Sequence, residues 1–256
     1  MADSERVLIT GAASGLGAAL ADAWAARGAR VLRTDRVEAD GVRRLDITSD
    51  EDWAAALAEV ESSWGGLDVL VNNAGVAGGG RLDVAELDEW QWIFDINLFG
   101  AVRGTRVFTP LFKRQRGGRI VNVASLAGLV HPAGMASYNA VKAAVVALTE
   151  TTGHELASYG VTAHVVCPSY FRTALMDSVR GRDTALAGVM ARLVQDAPLG
   201  ADEIAAAVLE GLDRGDEVIL PDPAARAAYG LKVSDRAAYD HVMRDQAKKL
   251  DGVAGE

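Results

Sequence analysis

Tyr138 and Lys142 have the residue types and the spacing that acid–base chemistry requires. They stand four positions apart, which is about one helical turn, so both side chains would lie on one face of a helix. A free phenol has a pKa near 10, which places its phenolate about 4 kcal/mol out of reach at neutral pH. An ammonium group one turn away favours the phenolate, so we expect Lys142 to lower the pKa of Tyr138. Taken alone, such a pair is also common on helix surfaces.

A glycine-rich turn, TGAASGLG, occupies residues 10–17 directly after the first apolar run of the chain. Gly11, Gly15 and Gly17 would let backbone amides approach a pyrophosphate, and the helix that follows would add the positive end of its dipole. The spacing differs from G-x-G-x-x-G, and the absence of GK[ST] excludes a P-loop. The alternative is a turn of small residues that only packs a helix on a strand.

Asp35 indicates which nucleotide the glycine turn would bind. It ends the second predicted strand, 24 residues after Gly11 (35 − 11 = 24), close to the spacing of about 20 at which an acidic residue holds the adenosine ribose hydroxyls. A carboxylate there repels a 2′-phosphate, because a buried like-charge contact costs several kcal/mol. The adjacent Arg36 could pair with such a phosphate. We give the carboxylate more weight and predict NAD as the cofactor.

Short apolar runs alternate with longer helical patterns along the chain. Because these runs are apolar throughout rather than at every second position, they are typical of strands covered on both faces. The rhythm predicts an α/β fold, a doubly wound parallel sheet of the Rossmann type in three α/β/α layers, forming one domain over residues 1–256. The predicted strands cover residues 7–9, 30–34, 42–45, 67–71, 119–123, 161–166 and 217–220, and the predicted helices cover residues 15–27, 50–63, 86–112, 137–159, 202–214 and 235–249.

Composition narrows the classes of function. The net charge of −9 argues against nucleic acid as a partner, since phosphate binding needs a surplus of Lys and Arg. The single cysteine, Cys167, and the absence of histidine ligand spacing predict no metal site and no disulfide. The N-terminus lacks a secretory pattern, so we expect a cytoplasmic protein. Residues 120–141 carry no charge, but their Asn, Ser, His and Pro residues favour a buried soluble segment over a membrane span.

At this point the sequence resembles the short-chain dehydrogenase/reductase family. The glycine turn, the NNAG run at residues 72–75, Asn97, Ser125 and the Tyr138–Lys142 pair stand in the family's order, and the resemblance runs over residues 7–173. It implies an NAD-dependent alcohol dehydrogenase or ketone reductase. Tyr138 would be the general acid/base, Ser125 would orient the substrate oxygen, and Asn97 would hold a water that relays protons from Lys142. A structural role for Asn97, bound to backbone, is the alternative.

The resemblance also implies the residues that contact the cofactor. Asp46 and Ile47 would contact adenine, Asn73 and Ala74 would lie near the adenine ribose, and Thr173 would bind the carboxamide end. The full set implied is Gly11, Ser14, Gly15, Leu16, Gly17, Asp35, Asp46, Ile47, Asn73, Ala74, Tyr138, Lys142, Phe171 and Thr173. Ser169 departs from the family's pattern, which has glycine there, so a positive φ at this position would force the loop to adjust.

The substrate and the assembly are predicted from less specific signals. An apolar pocket for a hydrophobic alcohol or ketone is predicted from Leu126, Leu129, Val130, Met135, Leu175 and Met176. Residues 172–199 are expected to form a substrate loop, and the extension 221–256 would cover either a pocket or an interface. A homo-oligomer, dimer or tetramer, is expected because two helices carry surplus apolar residues: Ile93, Phe94, Leu98, Val102, Val107, Ala143, Val146 and Leu148. The alternative function is an NAD(H) sensor without turnover.

Overall fold

A seven-stranded parallel sheet runs through the middle of the molecule. The computed structural model describes residues 4–253. The strands, in chain order, are β1 (Arg6–Thr10), β2 (Arg30–Asp35), β3 (Arg43–Arg44), β4 (Val69–Asn72), β5 (Gly118–Val123), β6 (Val161–Val166) and β7 (Val218–Ile219). Their order in the sheet is β3-β2-β1-β4-β5-β6-β7. The winding direction therefore reverses between β1 and β4, the position at which parallel α/β sheets bind ligands.

Ten α-helices flank the sheet or extend from it. They are α1 (Gly15–Ala26), α2 (Asp50–Trp64), α3 (Leu87–Phe94), α4 (Gly100–Gln115), α5 (Ala127–Val130), α6 (Ala136–Leu156), α7 (Thr184–Gln195), α8 (Ala201–Arg214), α9 (Pro223–Ser234) and α10 (Arg236–Val253), within the described residues 4–253. Helices α1 and α8 pack on one face of the sheet. Helices α2, α4 and α6 cover the other.

The side chains of β1 show why the strands are apolar throughout. Val7 and Ile9 pack into the core under α1 and α8, whereas Leu8 between them packs against Trp53 and Phe108 on the opposite face. All three β1 side chains are fully buried. Successive strand residues point to opposite faces, so a strand covered on both sides needs apolar residues at every position. The structure confirms the predicted doubly wound parallel sheet with three layers.

The predicted helix over residues 86–112 is interrupted. A five-residue π-helix, Asp95–Phe99, separates α3 from α4 and contains the buried Asn97. A π-helix widens the turn by one residue, and such bulges occur frequently at functional sites. The other predicted strands and helices agree with the structure apart from shifts of a few residues at their ends.

Two segments contain helices that the sequence pattern does not predict. The stretch 172–199, expected to be a loop, contains α7, whose first turn is capped by the Asp183 carboxylate. The extension 221–256 contains α9 as well as the predicted helix, because Asp222 caps α9 and Pro223 occupies its first turn. An N-cap Asp followed by Pro is a known helix-start signal, so α9 could have been found from sequence.

Much of the charge-free stretch 120–141 is buried, although His131 and Ala140 are exposed. It forms most of β5, all of α5 and the start of α6, and Ile120, Val121 and Val141 are fully buried. None of the helices within residues 4–253 has both the length and the apolar character needed to cross a membrane.

Asp183 ties the segment that carries α7 to the rest of the chain. Its side chain is 1% exposed, and it accepts hydrogen bonds from the Arg81 amide at 2.9 Å and the Arg81 Nε at 2.8 Å. Burial raises the pKa of Asp183, but the hydrogen bonds from Arg81 and Leu186 outweigh burial and leave the pKa below its usual value. A depressed carboxyl pKa adds stability at neutral pH that is lost as pH falls below about 4.

We expect Asp183→Asn to lower the free energy of unfolding by about 2–4 kcal/mol at pH 7, because a buried ion pair loses one partner. Thermal unfolding measured by circular dichroism at pH 7 and at pH 3.5 checks this, and the deficit should shrink at the lower pH. Asp213→Asn is the matched control, since its ion pair with Arg27 is exposed and exposed pairs contribute about 0–1 kcal/mol. Equal losses in the two variants would contradict the assigned role of Asp183.

Candidate active site

The glycine turn brings the start of α1 against the end of β4. Gly11 has φ of +67°, and a Cβ there would lie 2.8 Å from the Ala74 Cα. A Cβ on Gly17 would overlap the Gly11 carbonyl oxygen and lie 2.5 Å from the Asn73 side-chain nitrogen. That nitrogen donates to the Thr10 carbonyl at 2.9 Å. The turn is therefore a cradle that side chains would fill, which fits a bound pyrophosphate at the helix N-terminus.

Asp35 lies at the end of β2 beside this cradle. Its Oδ2 accepts a hydrogen bond from the Ala13 amide at 3.2 Å, and its Oδ1 accepts from the Arg36 amide at 2.7 Å. Both Asp35 and Arg36 line the cleft described below. Backbone amides thus hold the carboxylate in place at the position expected for a ribose contact.

One cleft of about 1250 Å³ connects the cradle to Tyr138. Of the predicted site residues, it is lined by Gly11, Ser14, Gly15, Leu16, Asp35, Asp46, Ile47, Asn73, Ala74, Ser125, Tyr138, Lys142, Phe171 and Thr173. Gly17 and Asn97 are the two predicted residues that do not line it. Gly17 instead allows close packing of α1 against Gly11 and Asn73.

Ser125, Tyr138 and Lys142 all line this cleft. Tyr138 and Lys142 are both buried on α6, and Lys142 Nζ lies 5.7 Å from the centre of the Tyr138 ring. Lys142 Nζ donates to the Val123 carbonyl at 3.0 Å, which fixes the ammonium at the end of β5. Ser125 Oγ accepts from the Ala127 amide at 3.2 Å, and the Ser125 side chain also forms a hydrogen bond with Tyr138.

In the chain on its own, burial rather than Lys142 has the largest effect on the pKa of Tyr138. Burial raises the pKa of Tyr138 to about 12, and interaction with the Ser125 side chain offsets only part of that rise. Burial likewise lowers the pKa of Lys142 to about 8. Desolvation disfavours the charged form of each group, and neither residue is among the causes of the other's shift. Tyr138 therefore holds its proton firmly at neutral pH.

The side chain of Asn97 is hydrogen-bonded to the backbone of Val76. Its Oδ1 accepts from the Val76 amide at 2.8 Å, and its Nδ2 donates to the Val76 carbonyl at 2.9 Å. Both polar groups of the amide are thus bound to backbone, which is the structural alternative considered for this residue. Val76 lines the cleft, so Asn97 positions one wall of the site from behind.

Ser169 is accommodated without a positive φ, since Arg116 and His131 are the residues other than glycine with positive φ within residues 4–253. Its amide donates to Asp222 Oδ2 at 2.9 Å, and its hydroxyl donates to Asp222 Oδ1 at 2.6 Å. Asp222 is buried and also caps α9. The loop after β6 is therefore held by a carboxylate from the C-terminal extension, a partner that sequence reasoning missed.

The part of the cleft beyond Tyr138 is lined by apolar residues, and several of them are not among the predicted substrate-pocket residues. Of the predicted pocket residues, Leu126, Val130, Met135, Leu175 and Met176 line it, whereas Leu129 packs elsewhere, in the cluster around Val145. Tyr170 of the loop after β6, which the sequence also offers as a pocket residue, lines it too. The residues that the sequence does not predict include Trp92, Leu186, Met190, Tyr239, Met243 and Leu250. They come from α3, α7 and α10, which meet only in the folded chain.

Neither Cys167 nor the histidines form a recognisable second centre. Burial raises the pKa of the Cys167 thiol to about 12, which makes it a small apolar side chain rather than a nucleophile. No group of three or more His, Cys, Asp or Glu side chains within residues 4–253 is arranged to hold a metal ion.

Known proteins share this architecture. The structure of a short-chain dehydrogenase/reductase from Burkholderia phymatum in complex with NAD has a TM-score of 0.84 and 31% identity, covering 91% of this chain and 94% of that one. A short chain dehydrogenase from Burkholderia cenocepacia in complex with NADP has a TM-score of 0.80 and 29% identity, covering 94% and 98%.

Sequence comparison agrees with the structural likeness. The 3-oxoacyl-[acyl-carrier-protein] reductase FabG of Salmonella typhimurium is 32% identical over 213 residues, which cover 78% of this chain and 86% of that protein. The family model described as short chain dehydrogenase matches residues 5–184, a span that contains the glycine turn, Asp35, Ser125, Tyr138 and Lys142. The chain therefore belongs to the short-chain dehydrogenase family of oxidoreductases.

Proposed function

We propose that this protein transfers a hydride between NAD(H) and the carbon of a hydrophobic secondary alcohol or ketone. The observation that carries the proposal is the single cleft that joins the cradle beside Asp35 to Ser125, Tyr138 and Lys142, and then to an apolar end. A nucleotide bound along the cradle would place its reactive ring beside the buried phenol, and the apolar end would take the substrate.

Tyr138 acts as the acid in reduction and as the base in oxidation. Its phenol, with a pKa raised by burial to about 12, holds a proton at neutral pH and donates it to the ketone oxygen as hydride arrives at the carbon. In oxidation it must first lose that proton. NAD⁺, when bound, supplies the hydride acceptor and a positive charge close to the phenol. Ser125 donates a hydrogen bond to the substrate oxygen and aligns it with Tyr138.

Lys142 and Asn97 support this chemistry without touching the reacting carbon. With a pKa lowered by burial to about 8, Lys142 remains mostly protonated at pH 7 and provides positive charge and hydrogen bonds for ribose hydroxyls. Asn97 holds Val76 at the cleft wall through its two backbone hydrogen bonds. We assign Asn97 as a positioning residue rather than a side-chain proton relay.

The remaining cofactor contacts follow the cleft wall away from Tyr138. Asp46 and Ile47 line the cleft close to Asp35 in the fold, at the adenine end that we propose. The Asp46 carboxylate accepts from the Thr48 amide at 3.0 Å and from the Thr48 hydroxyl at 2.7 Å, so its orientation is preset. Phe171 and Thr173, from the loop after β6, also line the cleft, and we assign them to the nicotinamide end.

NAD is preferred over NADP in this proposal because of Asp35. Its carboxylate would face the 2′-position of the adenosine ribose, where a phosphate would meet like charge, although Arg36 also lines the cleft. The relative from Burkholderia cenocepacia binds NADP, so the choice needs a direct measurement.

We expect Asp35→Ser to shift the ratio of the NADH and NADPH dissociation constants by at least about 100-fold toward NADPH. Removal of the carboxylate ends the repulsion and leaves Arg36 to pair with the phosphate. Fluorescence titration with each nucleotide measures the ratio, and Asp22→Ser, an exposed acid outside the cleft, serves as control. A wild-type preference for NADPH, or an unchanged ratio in Asp35→Ser, would contradict the NAD assignment.

A screen of secondary alcohols and ketones with NAD(H) and NADP(H) tests the proposed function as a whole. Turnover of an apolar substrate with NAD(H) is the expected result. The alternative function is a sensor that binds NAD(H) without turnover, and it would be favoured by tight NADH binding with no turnover across a broad panel. The complete set of Ser125, Tyr138 and Lys142 in one cleft supports the enzyme.

We also propose that the protein forms a homo-oligomer through α4 and α6. Ile93 and Val146, expected among the surplus apolar residues, are buried in the chain's own core. Phe94, Leu98, Val102, Val107, Ala143 and Leu148 are only partly buried, and Phe99 is 49% exposed, so apolar surface remains for a partner copy. Light scattering coupled to size-exclusion chromatography measures the mass, and a monomer at micromolar concentration would contradict the proposal.

A further inference from the structure

The C-terminal hairpin of α9 and α10 lies over the apolar end of the cleft. Five residues of α10 line the cleft: Tyr239, Met243, Gln246, Lys249 and Leu250. Steps of three and four residues place side chains on one face of a helix. One continuous face of α10 is therefore turned toward the substrate end of the site. Val242, the neighbour of Met243, is exposed and does not line the cleft.

Hydrogen bonds anchor the hairpin to the segment that follows Ser125. The buried Tyr239 donates its hydroxyl proton to the Val130 carbonyl, and Lys232 Nζ donates to the Leu129 carbonyl. Lys232 Nζ also lies 2.9 Å from His131 Nδ1. These acceptors are at the carboxyl end of α5, where helix carbonyls lack partners within the helix. The hairpin is thus docked on the same short segment that positions Ser125.

Apolar side chains opposite α10 complete the enclosure. Leu186 and Met190 of α7 are buried in a cluster with Tyr138, and Leu250 of α10 packs against that cluster. Helices α7 and α10 are in direct contact. The cleft lining therefore includes the buried Met135 and Met190 and the partly buried Met243. Methionine side chains adapt to irregular apolar ligands, because they are unbranched and flexible.

We propose that the α9–α10 hairpin is a fixed end wall that selects substrates with an extended hydrocarbon portion. The reacting carbonyl or carbinol would sit at Ser125 and Tyr138, and the hydrocarbon would lie against Met190, Met243 and Leu250. This inference rests on the proposed function, which it deepens by naming the substrate class. It also assigns Met243 as a residue that determines substrate size, outside the span of residues 5–184 that matches the family model.

The test is a homologous series of methyl ketones, from 2-butanone to 2-dodecanone, reduced with NADH. For the wild-type protein we expect kcat/KM to rise about fourfold per added methylene until the cleft is filled, which corresponds to about 0.8 kcal/mol per methylene. Met243→Trp fills the space in front of the wall. It should lower kcat/KM for the long ketones at least about 50-fold and for 2-butanone less than about threefold.

Val242→Trp is the matched control, because it places the same large side chain one residue away on the exposed side of α10. It should follow the wild-type chain-length profile, and NADH affinity should be the same in both variants. Two results would contradict the proposed end wall. One is the same dependence of kcat/KM on chain length in Met243→Trp and Val242→Trp, and the other is a wild-type kcat/KM that does not rise with chain length.

A binding measurement separates this inference from the proposed function. The fluorescent apolar ketone 6-propionyl-2-dimethylaminonaphthalene should bind the wild-type protein and Val242→Trp alike, and Met243→Trp at least about tenfold more weakly. If the probe binds in this way but no ketone is turned over, the proposed function is refuted and the proposed end wall is still supported. Failure of the probe to bind the wild-type protein, or equal binding by both variants, would refute the wall even if ketones are reduced.

Discussion

Tyr138→Phe should reduce kcat for ketone reduction by at least about 1000-fold while the NADH dissociation constant changes less than about threefold. The substitution removes one oxygen from a buried side chain, and the ring keeps its packing. General acid–base catalysis contributes about 10²–10⁴ in rate, and Ser125 has no acidic proton that could replace the phenol at neutral pH. Steady-state kinetics and a fluorescence titration with NADH measure the two quantities separately.

The pH dependence of the wild-type protein gives a second readout of the same group. Because burial raises the pKa of Tyr138 to about 12, the base form is scarce at neutral pH, and kcat/KM for alcohol oxidation should rise by about tenfold per pH unit between pH 6 and 8. Reduction, which uses the protonated phenol, should lack this rise. Oxidation that is independent of pH in this range would argue against Tyr138 as the base.

Tyr159→Phe is the matched control for Tyr138→Phe. Tyr159 lies outside the cleft, and its ring contacts the Lys113 ammonium at 4.6 Å from the ring centre, a contact that phenylalanine retains. We expect wild-type kinetics from this variant. A Tyr138→Phe protein with more than about a tenth of wild-type kcat would show that another group transfers the proton.

Gly17→Ala should weaken NADH binding by at least about 100-fold. The added Cβ would overlap the Gly11 carbonyl oxygen and lie 2.5 Å from the Asn73 side-chain nitrogen, so the glycine turn must open or α1 must shift away from β4. Either movement removes the close approach of the helix N-terminus on which pyrophosphate binding depends. Isothermal titration with NADH measures the loss, and thermal unfolding shows how much stability the shift costs.

Gly230→Ala provides the control for the alanine substitution itself. Gly230 lies in α9 with no atom within 4 Å of the position that a Cβ would take, and replacing a helical glycine by alanine stabilises a helix by about 1 kcal/mol. NADH affinity should be unchanged in this variant. If Gly17→Ala binds NADH as tightly as Gly230→Ala does, the glycine turn is only a packing device, the alternative that the sequence leaves open.

The parts of the fold that could be predicted from sequence are those that depend on residues close together in the chain. Continuous apolar strands such as β1 indicate a sheet covered on both faces, and the four-residue step from Tyr138 to Lys142 places both side chains in one cleft. The glycine turn and Asp35 also lie where their spacing predicts. Strand alternation, helical periodicity and turn chemistry depend on neighbouring residues, so one sequence is enough to infer them.

The acidity of Tyr138 depends on surroundings that the motif does not contain. Its motif predicts a pKa lowered by Lys142, but burial raises the pKa of Tyr138 to about 12, and the Lys142 ammonium is engaged by the Val123 carbonyl. Desolvation is set by every atom packed around the phenol, including side chains from distant elements such as α7. Spacing along the chain carries no information about that environment.

The sequence by itself determined the sheet, the glycine turn and the pair on α6, since each follows from the pattern of residues close together in the chain. Only the tertiary structure decided that Asn97 is bound to Val76, that Asp222 holds Ser169, and that α10 lines the cleft. The physical reason is that these are contacts between residues 21, 53 and 109 positions apart in the chain. They form because the parallel sheet brings the carboxyl ends of its strands to one edge, where the loops and the C-terminal hairpin meet.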